Sequence, residues 1–422
     1  MRSLALRRMM PGNERGATLV VVAITLIVLL GFAGLALDVG YWYLIRNELQ
    51  NAADAGALAG AQVLYINNGT QVNPGVSQVA TGVAAQNPSE GGLTDVDSVE
   101  RGHWSFATRT FTSREGTAMQ PVSLWNVTSA QLDADLNFIN AVRVVTHRRV
   151  DGGTGRPAEP FFARLFGIQG FQIQAEAVAY IGFAGTLEPL TADQPIAICR
   201  ESLLINNAYT CSVGRMINSG GSANSAITGE TGGWTDFNQA DNPCQGGTNA
   251  NAVRSLVCGS GNPNPLVLGA NMATQGGQVS TAFQRLHDCW RSFADTNGDG
   301  TPDRLWPITL PVIECNGNNP GPCNMVVGAV VVNVVWIQRQ NDPHYNDVPL
   351  RLADWNGSAI SDGQARWNNF ASHFRLQNAD GSPASYMSPT IYFLPDCNPH
   401  IPTGTTGGQN FGILARIPVL VD

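Results

Sequence analysis

The chain has 422 residues, a net charge of −8 and a pI near 5.2; it is long enough for two or three domains and too acidic to seek phosphate, so nucleic acid is excluded as a partner. Its 24 basic residues are all arginine, which removes a P-loop lysine, a Schiff-base lysine and a lysine for an isopeptide cross-link.

From Ala17 to Leu37 there are 21 residues without a charge. At about 1.5 Å each they span roughly 30 Å, the thickness of a bilayer's hydrocarbon core, and they are read as a transmembrane helix. Arg2, Arg7, Arg8 and Arg15 precede the span with Glu14 as the only acid. The positive-inside rule therefore leaves residues 1–16 in the cytoplasm and exports the chain beyond Leu37. A cleavable secretory signal competes with this reading, because Gly34 and Ala36 form a small-x-small site after an apolar core. The length of the run and the unbroken helical pattern beyond it favour a retained anchor.

Over residues 38–65 the helix becomes amphipathic. Ile45, Leu49, Ala52, Gly56, Ala59 and Val63 recur at alternating steps of four and three, with Asn47, Asn51 and Asp54 opposite. No proline interrupts Ala17 to Gln62. The lipid half is apolar all round, whereas the outer half needs one stripe to dock on strands of its own domain or on a partner helix. Gly56 and Gly60 form a Gly-x-x-x-Gly, for which packing within the chain is favoured over helix pairing.

Residues 66–185 read as a cysteine-free α+β domain. A polar link from Asn67 to Gly92 precedes strand-like segments at His103 to Phe111, Ile139 to His147 and Phe171 to Ile181. "DVDSVE" at Asp95 fails the Asp-x-Ser-x-Ser pattern of a metal-dependent adhesion site at its third position and reads as a polar turn. In "EPFFARLFG", Phe161, Phe162, Leu165 and Phe166 mark about two helical turns expected to pack on the sheet.

Pro189 and Pro195 mark a boundary, and residues 186–422 read as a Cys-rich, loop-rich β domain. Phe283, Leu286, Trp290 and Phe293 mark a short helix, "NMVVGAVVVNVVWIQ" a buried strand, and Phe411 to Val421 a closing strand. All eight cysteines, Cys199, Cys211, Cys244, Cys258, Cys289, Cys315, Cys323 and Cys397, lie on the exported side, where disulfides are expected. Without a Cys-x-x-Cys they do not suggest zinc. Cys315 and Cys323 flank the turn-rich "NGNNPGP" and form the most favoured local pair.

"DTNGDGTPD" matches the first nine positions of an EF-hand-type calcium loop. Asp295, Asn297 and Asp299 stand at positions one, three and five, Gly300 at six, the Thr301 carbonyl at seven and Asp303 at nine. Trp306 stands where the bidentate Glu belongs. The site is therefore expected to bind weakly and to stiffen the domain; the competing reading is a solvated turn. There is no Gly-x-Ser-x-Gly, no His-Glu-x-x-His and no glycine-rich loop between strand and helix; the six histidines are scattered. No enzyme activity and no small-molecule substrate are expected.

Glu14-Arg15-Gly16-Ala17 before the span, Asp38-Val39-Gly40 at its exit and Leu49-Gln50-x-Ala52-Ala53-Asp54-Ala55-x-Ala57-Leu58-Ala59-Gly60-Ala61 beyond it closely resemble the N-terminal segment of TadE/TadG-like proteins of Flp (tight adherence) pilus assembly. "NAVRVVTHR" and "FFARLFGIQGFQIQAEAVAYIG" resemble the family's first exported domain more loosely. The resemblance implies an α+β protein, with a long pilin-like transmembrane helix, an exported α+β domain and a β-rich, disulfide-containing second domain. It also implies a single-pass protein of the bacterial inner membrane whose bulk is periplasmic or extracellular and whose partners are other Tad pilus and secretion proteins. Cleaved prepilins carry Glu five residues after the cleavage glycine, where this chain has Val21. An uncleaved TadG-like protein is therefore expected rather than a major pilin. The alternative is an exported adhesin or binding module that only borrows the anchor.

Overall fold

The computed structural model describes residues 14–66, 69, 71–115, 138–149, 157–205, 208–209, 214–217, 232–239, 248–275, 280–315, 320–338, 348–377, 384, 386, 390–396, 400, 404–405, 408–409 and 411–421. Helix α1 (Glu14–Gln62) runs 49 residues without a break, about 74 Å. It has no proline, and its second half is rich in alanine, the strongest helix former. Leu19, Leu26, Leu30, Phe32 and Leu37 are all exposed, whereas from Ile45 onward one side is buried.

What buries that side is a helix and a sheet. Within the segment read as a polar link lies α2 (Val76–Gln86), whose Val76, Ala80 and Ala84 repeat every four residues and are fully buried. Their small volumes let α2 lie close against α1. Beneath both helices run four antiparallel strands: β1 (Asp95–Ser105), β2 (Thr110–Ser113), β3 (Ala141–Arg148) and β4 (Ile173–Tyr180). β3 pairs with β4 in register from Ala141 opposite Tyr180 to Arg148 opposite Ile173. Alternation on β3 sends Val142 and Val144 under α1, while Ala141 joins Trp104 and Val178 on the other face.

Two local expectations are corrected here. The stretch His103 to Phe111 is not one strand; it contains the turn joining β1 to β2, with Arg109 at φ 53°. "DVDSVE" opens β1 rather than a turn, since Asp95 to Glu100 pair with β3.

The second unit is built on a seven-stranded mixed sheet: β5 (Ile196–Cys199), β6 (Arg215–Ile217), β7 (Gly232–Trp234), β8 (Asn271–Ala273), β9 (Trp306–Ile313), β10 (Cys323–Gln338) and β11 (Thr390–Pro395). The order is β6-β11-β10-β9-β5-β7, with β8 also on β10. β5 and β9 are parallel and the other pairings antiparallel. β10 is buried on both faces, as a run of valines at the sheet centre requires. Helices α3 (Ala250–Leu256), α4 (Ser280–Ala294) and α5 (Gly363–His373) flank it. On α4 the buried line is Phe283, Leu286, Trp290 and Ala294. Phe293 turns outward instead, with the Arg304 guanidinium 4.0 Å over its ring.

The end of the chain differs from the closing strand expected at Phe411 to Val421. A short 3-10 turn (Gly412–Ala415) packs against β10, and the last strand, β12 (Val419–Leu420), returns to the first sheet and pairs with β4. The first sheet therefore reads β12-β4-β3-β1-β2.

Candidate functional site

The place where α1 leaves its apolar stretch is the most elaborately held point of the first unit. Asp38, only 3% exposed, accepts hydrogen bonds from three consecutive backbone amides: Phe161 at 2.7 Å, Phe162 at 3.1 and 3.2 Å, and Ala163 at 2.7 Å. These amides begin the 3-10 turn Ala163–Phe166, so a carboxylate 123 to 125 residues upstream caps it. Burial alone would raise the pKa of Asp38; the three amide donors outweigh it and hold the group below its ordinary value.

Around this clamp the neighbouring segments close on the helix. Phe162 lies over Gly34, where a Cβ would stand 2.7 Å from the phenyl Cγ; only glycine admits that ring so close. The Tyr41 ring packs on Phe161 at 5.0 Å between centroids, and its hydroxyl donates to the Glu90 carboxylate. The Glu90 amide donates to Glu48 at 2.9 Å, and the Arg148 guanidinium donates to the Ser89 carbonyl. Tyr41, Trp42 and Tyr43 also form an aromatic run at the end of the apolar span, the composition of a membrane-water interface.

Of the docking stripe drawn from the sequence, Ile45, Leu49, Ala52 and Gly56 are buried, whereas Ala59 and Val63 are half-buried. The buried line shifts to Ala53, Ala57, Gly60, Ala61 and Leu64, because α2 and β3 meet α1 from two sides and widen the covered arc. A Cβ at Gly56 would stand 2.9 Å from Ala84 Cβ and 3.0 Å from the Ala80 carbonyl oxygen; one at Gly60 would stand 2.9 Å from Val142 Cγ1. The Gly-x-x-x-Gly groove is thus filled from within the chain. Polar ties reinforce it: the Thr146 hydroxyl donates to the Leu49 carbonyl at 2.9 Å, and Gln50 Nε2 donates to the Glu176 carbonyl at 2.8 Å.

"EPFFARLFG" is corrected. Only Ala163–Phe166 is helical, and Phe161, Phe162, Leu165 and Phe166 do not pack on the sheet; all four are exposed. The Asp38 clamp turns the segment away from the sheet and toward the span.

In the second unit Cys199 is bonded to Cys315 and Cys258 to Cys289, with Cα separations of 5.5 and 6.2 Å. Cys323 is also disulfide-bonded, and Cys211, Cys244 and Cys397 lie outside the described residues. The expected Cys315–Cys323 bridge is therefore corrected: the parallel pairing of Ile313 with Cys199 holds Cys315 against β5. Asp295, Asn297, Asp299, Thr301 and Asp303 share an exposed turn after α4. Asp295 accepts from the Gly298 and Gly300 amides at 2.8 and 2.7 Å, Asp299 from Thr301 at 2.8 Å, and Asp303 from the Thr296 amide at 3.1 Å. Gly298 and Gly300 take φ 75° and 84°, which other residues resist. The Arg291 guanidinium donates to the Gly300 carbonyl, placing a positive charge beside the loop. A cleft of about 580 Å³ adjoins it, lined among others by Trp290, Trp336, Gln338 and Arg351.

Two family models match the chain. Residues 16–63 match one described as "Putative Flp pilus-assembly TadE/G-like", and residues 44–179 match one described as "Putative Tad-like Flp pilus-assembly". No curated protein and no solved structure gives a significant match. The two matched ranges cover α1, its docking surface and the strands as far as β4, the elements that the Asp38 clamp and the Gly56 groove hold together.

Proposed function

We propose, from the premise that residues 16–179 are those of a TadE/TadG-like Flp pilus-assembly protein, that this chain is a component retained in the membrane rather than a subunit that leaves it for the filament. Its role in Flp pilus assembly derives from the family, and so does anchorage by the N-terminal apolar helix. The family is one of structural assembly components, which argues against a catalytic role. The finer reading is an uncleaved, TadG-like protein in the inner membrane, its N-terminus cytoplasmic and its two sheets outside, working beside other Tad proteins. The display-module alternative is not favoured, since the family match extends through the anchor into the first exported unit.

The observation that carries this reading is the continuity of α1 with its clamp. The helix docks on its own domain through Gly34, Asp38, Ile45, Leu49, Gly56 and Gly60, so the end of the span and everything beyond it are tied to that domain while Leu19 to Leu30 stay exposed. The groove that Gly56 and Gly60 would offer a neighbouring helix is filled by α2 and β3 of the same chain. The acidic turn at Asp295 to Asp303 we propose as a weak calcium site that stiffens the second unit, by the oxygens it gathers on a tight bend.

Deleting the chain in its host and counting surface pili by electron microscopy tests the assembly role. Loss of Flp pili, restored by the wild-type chain, is expected. Undiminished pili in the deletion strain would overturn it.

A further inference from the structure

We infer that the loop from Glu159 to Gly170 is a second membrane contact, entering the same leaflet surface from which α1 emerges. This rests on the reading of α1 as a membrane anchor. The neck of the loop is closed by paired hydrogen bonds between Ala158 and Phe171, at 3.3 and 2.9 Å. Beyond it Phe161, Phe162, Leu165, Phe166 and Ile168 are exposed, Leu165 and Phe166 each to 81%. Five large apolar side chains on one short loop form an unusual outward patch for a protein surface in water.

Three observations assign lipid to that patch. The first is position: Phe162 rests on Gly34, which lies inside the apolar span and about 6 Å, or four residues, before Asp38. The loop therefore reaches back along α1 rather than away from it, and its patch runs on into the exposed Leu35 and Leu37 of the span. The second is the backbone. A segment entering hydrocarbon must satisfy its amides within the protein. Phe161, Phe162 and Ala163 give theirs to Asp38, while Leu165 gives its own to the Phe162 carbonyl, Gly167 to that of Arg164 and Ile168 to that of Ala163, all within the loop. The third is polarity: the charged pair Glu159 and Arg164, 3.3 Å apart, sits at exposed positions beside the neck and turn, and a long arginine stem can carry its head to the level of the phosphates. The clamp thus fixes two membrane contacts at a set separation, so that the first sheet is held at a defined tilt instead of swinging on a single helix.

The test uses the full-length chain with its native disulfides, reconstituted in phosphatidylglycerol and phosphatidylethanolamine bilayers. Single cysteines at Leu165→Cys and Phe166→Cys carry a nitroxide spin label, with the unsubstituted chain as the labelling background. Accessibility to oxygen, which concentrates in lipid, is compared with accessibility to a nickel chelate, which stays in water. Leu29→Cys in the span and Thr108→Cys in the turn at the far end of β1 calibrate the two extremes. The labels at 165 and 166 should favour oxygen, as at 29, and reverse the order seen at 108. Nickel accessibility at 166 equal to that at 108, with 29 still in lipid, overturns the inference while leaving the anchor intact. Shielding from both reagents overturns it in favour of a covering protein. A water-exposed label at 29 overturns the anchor reading and the inference with it.

Discussion

Replacing Gly56 with alanine should loosen α2 from α1, although alanine is the better helix former. The added Cβ would stand 2.9 Å from Ala84 Cβ and 3.0 Å from the Ala80 carbonyl oxygen, whereas carbon atoms rest comfortably at about 3.5–4.0 Å. The obstacles are backbone and a methyl group on a packed helix, so α2 must retreat by roughly half an ångström or more. Overpacking of this kind costs about 1–3 kcal/mol, and the gain in helix propensity returns about 1 kcal/mol, leaving a net loss of roughly 0–2 kcal/mol. Gly82, on the outer side of α2, has no heavy atom within 4 Å of its Cβ position; there the same substitution should add about 0.5–1 kcal/mol. Hydrogen-exchange mass spectrometry of the full-length protein reads both through the α2 amides. Gly56→Ala should speed their exchange and Gly82→Ala slow it. Equal slowing by both would refute the packing argument. A change of oligomeric state with Gly56→Ala and unaltered α2 exchange would show that the groove serves a partner helix instead.

Mapping of non-reduced peptides should find Cys199 linked to Cys315 and Cys258 to Cys289, and no Cys315–Cys323 link. Removing the first bridge, which closes a separation of 116 residues, should cost on the order of 4–5 kcal/mol by chain entropy. Because the folded-state pKa of Asp38 lies below its unfolded value, its contribution to stability is complete above about pH 4 and is lost as pH falls through the folded value. The protection of the Phe161 to Ala163 amides, relative to their intrinsic exchange rates at each pH, should therefore hold at neutral and mildly acidic pH and fall only in stronger acid; a loss of protection on passing from pH 7 to 6 would contradict the clamp. Calcium at 1 mM, and not magnesium, should raise the thermal midpoint of the second unit by the equivalent of about 0.4–1.4 kcal/mol for a dissociation constant of about 10⁻⁴–10⁻³ M. The absence of a calcium-specific rise would leave Asp295 to Asp303 as a plain turn.

Long periodic elements are legible in the amino-acid sequence alone. The helix through Gln62 announces itself by an apolar run that turns into a stripe, and β10 by a stretch of valines. The failures are local ambiguity or distance. α2 hides in an Asn- and Gly-rich stretch because its buried residues are mostly alanines, which carry little hydrophobic signal at four-residue spacing. A turn inside His103 to Phe111 goes unseen because Phe106, Ala107, Thr108 and Arg109 include no glycine or proline. The stripe on α1 drifts at Ala59 and Val63 because two partners, not one, define what is covered. The Asp38 clamp and the return of β12 to the first sheet join residues more than 100 positions apart, and no pattern of spacing encodes a contact of that range. An acid closing a 21-residue apolar run is the one visible hint that something must receive it.

On the proposed function, α1 stays in the membrane, unprocessed and joined to its docked domain. Intact-mass measurement of the protein extracted from host membranes tests it most directly. A retained anchor gives a chain that keeps the residues before Ala17; a mature chain beginning at Ala17 would make it a processed filament subunit, and one beginning at Leu37 would leave it without an anchor.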